Sequence, residues 1–576
     1  MKKLWLVLIL ILAACGTPTV APTAAPTNTP APTARPTATP QPTTATDLAI
    51  VQTREPVAVA PVGMDGVLVS GTDGAPWWND TVFYEIFVRS FYDSDGDGVG
   101  DLNGLIERLD YLNDGDPATG DDLGVTGIWL MPIAQSPSYH GYDVTDYYKV
   151  DDEYGSNEDF KRLINAAHQR GIRVIVDMVL NHTSAEHPWF EDARSSVNSE
   201  YRDWYLWADS PGTTGWHRNG TKNEYYYGIF WDQMPDLNYE NPEVTAEMRN
   251  VIRFWLEEMG VDGFRLDAVK HLIEEDTQLE NTKATHAWLE GFRVFYKGIK
   301  PDAFTVGEIW SPSAAVVEYI GDELDIAFEF DMADAIVKTA SSGRPSGLKM
   351  AQKTVLSTYP PNQFATFLAN HDQNRTRSRL VNDEQAELAA TLQLAFPGVP
   401  FIYYGEEIAM QGIKPDENIR LPMQWTAAGG FSSGTPWRDY YKDYKERNVA
   451  AQQQDAGSVW HHYNALIQLR NTHAALRTGE TWIVVPDRTQ IYGYVRANDD
   501  EIILVLVNLS KAPVDGYSIT LGEGPFKAGL QPALLMGAGE LHPLVVNDAG
   551  GLDPSRPVDV LPPYGSVILQ YALQGN

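Results

Sequence analysis

Cysteine is nearly absent. Cys15 is the only one in 576 residues, so no disulfide can form within the chain, and the fold must rest on packing and on any metal it binds. Positive charge is scarce too: 43 Lys and Arg face 77 Asp and Glu, for a formal net charge of −34. A nucleic-acid partner would want a basic face, and this composition argues against one. The apolar run at residues 4–12 is too short to span a bilayer. His168 and His187 carry no spacing that suggests zinc.

What is present is globular: 43% hydrophobic and 11% aromatic residues, including 16 Trp and 28 Tyr. The length exceeds what one core supports and points to two or three domains. Such rings serve equally as core and as flat platforms for sugars. An acidic surface suits an exported protein acting on a neutral substrate.

The N-terminus reads as an address. Lys2 and Lys3 precede the apolar run, which ends in Leu12-Ala13-Ala14-Cys15-Gly16. Residues 1–15 form an export signal. Its end resembles the lipobox of bacterial lipoproteins, in which the cysteine is lipidated and becomes the new N-terminus; the alternative is an ordinary signal peptide with an incidental cysteine. Residues 17–46 are rich in Pro, Thr and Ala and have little to bury, which makes an extended tether. Residues 16–76 together are linker and unplaced sequence. The expectation is an exported lipoprotein, anchored to a membrane and facing the periplasm or the cell exterior.

From Trp77 onward short apolar runs alternate with helical patterns. Strands are expected at 82–88, 127–132, 173–179, 263–267, 304–308, 326–330, 363–369 and 400–404, with amphipathic helices such as 156–170 and 242–259 between them. Eight such runs suggest a (β/α)8 barrel over 77–182 and 240–478; a doubly wound open sheet has the same periodicity. Residues 183–239, rich in Trp, Tyr, Asn and Gly, are too long for a bare loop and imply an inserted domain. Within them Tyr225 to Trp231 is either a sugar-stacking wall or the insert's own core. After residue 479 helical spacers stop, which implies an antiparallel β-domain over 479–576.

Three motifs carry the chemistry: Gly263-Phe264-Arg265-Leu266-Asp267, Val306-Gly307-Glu308-Ile309-Trp310 and Asn370-His371-Asp372. Each is an apolar strand with a carboxylate at its C-terminal end, where such barrels place catalytic groups. Arg265 and Asp267 are two apart on a strand and share a face, so the guanidinium should lower the Asp267 pKa, as a nucleophile requires. Glu308 has no basic neighbour in sequence. Facing Asp267, it should be pushed up and keep a proton for general-acid work. Taken singly, each residue could be a strand-end carboxylate capping the next helix.

With His140-Gly141-Tyr142-Asp143, Asp177 through His182, Met234-Pro235-Asp236-Leu237-Asn238 and Phe367 through Asp372, in that order, the chain resembles the α-amylase family of glycoside hydrolases, family 13. Met234-Pro235-Asp236-Leu237-Asn238 resembles the intermediate group between oligo-1,6-glucosidases and neopullulanases, which contains α-amylases. The resemblance implies a barrel, an inserted domain after the third strand and a C-terminal β-sandwich. It implies Asp267 as nucleophile, Glu308 as acid/base and Asp372 as transition-state stabiliser, with carboxyls of the first two about 5–5.5 Å apart as in retaining enzymes. Tyr142, His182, Arg265 and His371 would line the subsite of the cleaved sugar, beside His140. Lys270 and His271 would contact the leaving side.

The expected activity is an α-amylase acting on α-1,4-glucans, as a monomer. Tyr142 to Tyr147 and Arg420-Leu421-Pro422-Met423-Gln424-Trp425 also resemble exo-acting α-glucosidases, in which an aspartate and an arginine close the cleft; a meeting of Asp143 with Arg420 would do so here. The rivals are an α-glucosidase, a transglycosylase and a non-catalytic tethered glucan-binding protein. Asp93-Ser94-Asp95-Gly96-Asp97-Gly98-Val99-Gly100-Asp101 suits Ca²⁺. It resembles the front of an EF-hand loop, but position twelve is Gly104. The expected ligands are Asp93, Asp95, Asp97, the Val99 carbonyl and Asp101, against a solvated acidic turn. The family resemblance implies a second calcium site of Asn181, Asp236 and the His271 carbonyl.

Overall fold

A computed structural model describes residues 71–573 except residue 213. The export signal, Cys15 and the Pro/Thr-rich tether fall outside the described residues. Eight parallel strands form the central sheet: β1 Phe83–Ile86, β2 Gly127–Leu130, β3 Arg173–Met178, β4 Gly263–Leu266, β5 Phe304–Gly307, β6 Ile326–Ala327, β7 Ala365–Thr366 and β8 Val399–Tyr403. Their order is β6-β5-β4-β3-β2-β1-β8-β7. A parallel bridge between Phe328 and Ala365 joins the two ends, so the sheet closes and is not the open doubly wound form. Every barrel strand is buried along its whole length. This is why these runs are continuously apolar and do not alternate. Several are shorter than the sequence suggests. The run at 82–88 leaves the sheet after Ile86 and turns helical at Val88–Phe91, and the run at 363–369 pairs only over Ala365–Thr366; the remaining apolar residues, such as Phe367 and Leu368, are buried in connections.

The barrel is filled by rings. Phe83 stacks on Phe401 and on Phe304 with centroids 4.5 and 5.3 Å apart. Trp77 and Trp78, in a short turn before β1, plug the end where strands begin, meeting Phe304 at 5.6 and 5.2 Å. Outer helices start where the sequence supplies caps. Ser156 and Asp159 form a capping box on α1 Asn157–Gln169, Asn241 caps α2 Pro242–Arg253, and Thr282 caps α3 Lys283–Ile299.

Between β3 and β4 lies a small three-stranded antiparallel sheet (Trp207–Ala208, Tyr225–Tyr227 and Trp216–Arg218) and the helix Pro188–Ser195. Tyr226 and Tyr227 are buried in it, whereas Phe230 and Trp231 are half exposed. The C-terminal part holds a five-stranded antiparallel sheet of β9 Glu480–Ile483, β10 Ile491–Ala497, β11 Glu501–Asn508, β12 Ala533–Met536 and β13 Ser566–Ala572, ordered β9-β10-β11-β13-β12, with smaller sheets beside it. Ile502, Leu504 and Leu506 pack into the core of this sandwich, while Ile503, Val505 and Val507 join the main core. Successive strand residues point to opposite faces, so β11 is apolar throughout because both faces are covered.

Candidate active site

The C-terminal ends of β1, β3, β4, β5 and β7 bring five carboxylates together. Arg265, fully buried on β4, is the hub of three of them. Its Nη1 donates to Asp267 Oδ1 at 2.7 Å and Asp177 Oδ1 at 2.9 Å, and its Nη2 donates to Glu308 Oε2 at 2.6 Å. A planar guanidinium fixes the directions of these bonds, so it sets where the carboxylates stand relative to each other. Asp267 leaves β4 and the next residue, Ala268, turns left-handed at φ 48°. That conformation is disfavoured for a residue with a Cβ by about 1–2 kcal/mol. It bends the chain sharply after Asp267.

Asp372 follows β7 and sits opposite. Its Oδ1 accepts from Arg420 Nη2 at 2.8 Å, and its Oδ2 lies 3.2 Å from His371 Nε2. The other ring nitrogen of His371, Nδ1, lies 2.6 Å from Glu85 Oε1 on β1. Tyr142 bridges the two halves, its hydroxyl 2.6 Å from His371 Nε2 and donating to Asp177 Oδ2 at 3.0 Å. Burial alone would deprotonate His371, but Asp372 and Glu85 carry it up to about 10. Burial opposes ionisation of Asp372, yet His371 and Arg420 hold its carboxyl well below the usual range.

Asp267 departs from the sequence expectation. Burial pushes its carboxyl up, Asp177 and Asp372 add to the push, and these outweigh the pull of Arg265. Burial likewise raises Glu308, with Asp267 and Asp372 adding and Arg265 opposing. Asp177 is raised by burial against the same guanidinium. One arginine faces three carboxylates, so their titrations are coupled. Protonating Glu308 removes like charge near Asp267 and so favours its ionised form.

His182 is buried, and burial lowers it to about 4. Its Nε2 lies 3.1 Å from the Tyr142 carbonyl, and Nδ1 has no protein partner. A carbonyl can only accept, so the proton is on Nε2 and Nδ1 is left as an acceptor. His140 accepts the Tyr142 N–H at 3.1 Å. Lys270 donates to the Trp310 carbonyl at 3.0 Å and pairs with Glu280 at 2.6 Å; His271 Nδ1 lies 2.9 Å from the Leu279 carbonyl. Phe230 stands edge-on to both His182 and His271, centroids 5.5 Å away in each case, and Trp310 is 56% exposed at the rim.

Asp143 and Arg420 do not pair. The Asp143 carboxylate is held by the hydroxyls of Ser136, at 2.8 Å, and Ser138, and Arg420 is engaged by Asp372 and, at 3.5 Å, by Asp416. The nearby serines satisfy Asp143 without a cation. Glu85 was not legible as a site residue. Its only signal is an acidic side chain inside the apolar run Val82-Phe83-Tyr84-Glu85-Ile86-Phe87. Asp177 stood in a recognised motif without a role.

In the acidic loop, Asp93, Asp95 and Asp101 bring carboxylate oxygens within 4.8 Å of one another. Asp97 is not in this set: its Oδ1 accepts the Val99 N–H at 2.7 Å and closes a turn. Three converging hard oxygen donors fit Ca²⁺. At the second place, Asp236 is buried, and burial with Glu274 nearby pushes its carboxyl far up. The buried Asn181 amide oxygen there accepts no hydrogen bond from the protein. A buried carboxyl beside an unpartnered amide oxygen also fits a hard cation.

A family model described as the α-amylase catalytic domain matches residues 85–479. The chain is 41% identical over 446 residues to α-amylase 3 of Dictyoglomus thermophilum, covering 76% of this chain and 86% of that one. It is 34% identical to an oligo-1,6-glucosidase of Heyndrickxia coagulans, over 77% of this chain and 95% of the relative. Among solved structures, α-amylase from H. orenii superposes with a TM-score of 0.76 at 42% identity, covering 85% of this chain and 99% of that one.

Proposed function

The chain belongs to the α-amylase family of glycoside hydrolases, family 13, and on that premise we propose that it is a retaining hydrolase of α-1,4-glucosidic bonds in starch or maltodextrins. One observation carries the reading: Asp267 and Glu308 sit on the two terminal nitrogens of a single buried guanidinium, at 2.7 and 2.6 Å. Asp267 attacks the anomeric carbon while Glu308 gives its proton to the departing glycosidic oxygen. Water then cleaves the glycosyl-enzyme as Glu308 takes a proton back. Asp372, held ionised by His371 and Arg420, grips ring hydroxyls as charge develops.

The separate engagement of Asp143 and Arg420 supports attack within chains over an exo-acting, end-closed site. Proton NMR of maltoheptaose digestion tests the mechanism: the first product carries the α-anomer, and the β-anomer first would overturn retention. Glucose as the only early product would replace the amylase reading with an α-glucosidase, for which the likeness to oligo-1,6-glucosidase speaks; products longer than the substrate would indicate transfer.

Calcium belongs to the same proposal. Asp93, Asp95 and Asp101 would hold one ion, and Asn181 with Asp236 a second; bound there, the ions neutralise buried carboxylates and brace loops. The proposal also places the enzyme outside the cytoplasmic membrane, tethered through lipidated Cys15, with Cys15→Ser releasing it from the membrane fraction.

A further inference from the structure

Arg420 braces the loop after β7 at two points. Its Nη2 donates to Asp372 Oδ1 at 2.8 Å, and its Nε donates to the His371 carbonyl at 3.0 Å. Residues 419–423 belong to no helix or strand. No regular ladder fixes this backbone, so the place of the guanidinium depends on whatever else captures the polar groups around it.

Those groups are captured from outside the segment. The Ile419 carbonyl accepts from Arg375 Nε at 2.9 Å and from the Tyr403 hydroxyl at 3.1 Å, and the Leu421 carbonyl accepts from the Tyr404 hydroxyl at 2.7 Å. The carbonyl of Arg420 itself accepts from Ser90 Oγ at 2.5 Å, and the Ser90 carbonyl accepts the Met423 N–H at 2.8 Å. Ser90 therefore holds the run 420–423 at both ends.

Its hydroxyl has one orientation. Trp437 Nε1 lies 3.0 Å from Ser90 Oγ. An indole N–H only donates and a carbonyl only accepts, so the hydroxyl receives from Trp437 and gives its single proton to Arg420. Ser90 is fully buried, so both bonds form away from bulk water. The turn that carries it, Val88–Phe91, follows β1, whose Glu85 meets His371. The acidic loop grips that turn from the other side: the Gly100 N–H donates to the Arg89 carbonyl at 2.8 Å and the Asp101 N–H to the Tyr92 carbonyl at 3.1 Å. A Cβ on Gly100 would come 2.1 Å from the Val88 carbonyl, so only glycine permits the approach.

We propose that Ser90 is a positioning residue for the reaction: it sets Arg420 and, through Arg420, the Asp372 carboxylate, while being too deeply buried to touch substrate. This rests on the α-glucan hydrolase reading above. Asp372 acts most on the charge that develops during cleavage, so a displaced Arg420 lowers kcat more than it raises KM.

The test is a double-mutant cycle on maltopentaose, assayed well below the melting temperature of each variant. Ser90→Ala should lower kcat by roughly tenfold and leave KM within about threefold. In Arg420→Ala enzyme the same substitution should cost less than about twofold, since the group that Ser90 steers is already gone. Trp437→Phe keeps Ser90 but removes the donor that orients its hydroxyl; it should lower kcat by a smaller factor, again only when Arg420 is present. Should Ser90→Ala fail to fold, Trp437→Phe carries the cycle alone. Equal fold losses with and without Arg420 would make the contact a general support of the fold and overturn the proposal, as would an unchanged kcat. Wild-type enzyme inactive on maltopentaose would remove the parent reading and this one with it, whereas active enzyme with equal losses in both backgrounds removes only the role of Ser90.

Discussion

Glu85 Oε1 stands 2.6 Å from His371 Nδ1, joining the first strand of the barrel to the loop after the seventh. Together with Asp372 it keeps a buried imidazole charged, up to about 10. Glu85→Gln removes one of the two anions. The alkaline limb of the kcat/KM profile should then move to lower pH, and activity at neutral pH should fall by roughly tenfold. An unshifted limb would show that Glu85 does not set the charge of His371.

The same pair has a stability consequence. His371 binds its proton more tightly folded than unfolded, where its ordinary value is 6.5. Its contribution is therefore complete below pH 6.5 and is lost as pH rises toward 10. Melting temperature against pH should decline across that window, and more gently in Glu85→Gln.

Removing either reacting group should be severe but distinguishable. Asp267→Asn should lower kcat on maltodextrin by about 10⁴-fold or more, because no glycosyl-enzyme forms. Glu308→Gln should cost about 10²–10⁴-fold on maltodextrin, and much less on an aryl glucoside whose leaving group needs no proton. Starch-degrading activity that survives in Asp267→Asn would reassign the nucleophile.

Chelation should lower the melting temperature, and added Ca²⁺ should restore it. Ligand at 100 times its Kd stabilises by about 2.7 kcal/mol. Asp93→Asn and Asp101→Asn should blunt the response, whereas Asp97→Asn, outside the converging set, should leave it largely intact. Thermal melts of the three variants with and without chelator separate them.

Arg420→Ala should cost about 10²-fold in kcat/KM, because Asp372 loses its 2.8 Å partner. Asp143→Asn should cost under about tenfold, since the serine hydroxyls still have an acceptor. Equal losses in the two variants would mean that Asp143 and Arg420 work as one unit in the substrate complex.

Much was already written in the chain. Runs of apolar residues ending in Asp267, Glu308 and Asp372 announced buried parallel strands with chemistry at their C-terminal ends, because a strand covered on both faces admits no alternation. Caps such as Ser156 and Asn241 fixed where helices begin, since those bonds are local. Asp267, Glu308, Asp372 and the acidic loop were legible for the same reason: they sit in short motifs. Tertiary structure alone decided who touches whom. Arg265 lies two residues from Asp267 but 43 from Glu308, and only the parallel pairing of β4 with β5 puts both on one guanidinium. Burial then overturned the expected fall in the Asp267 pKa, because desolvation depends on everything packed around a group and not on its neighbours in sequence. Asp143 turned to Ser136 and Ser138, and Glu85 found His371 across 286 residues, for the same reason: a folded polar group pairs with whatever the packing brings within reach.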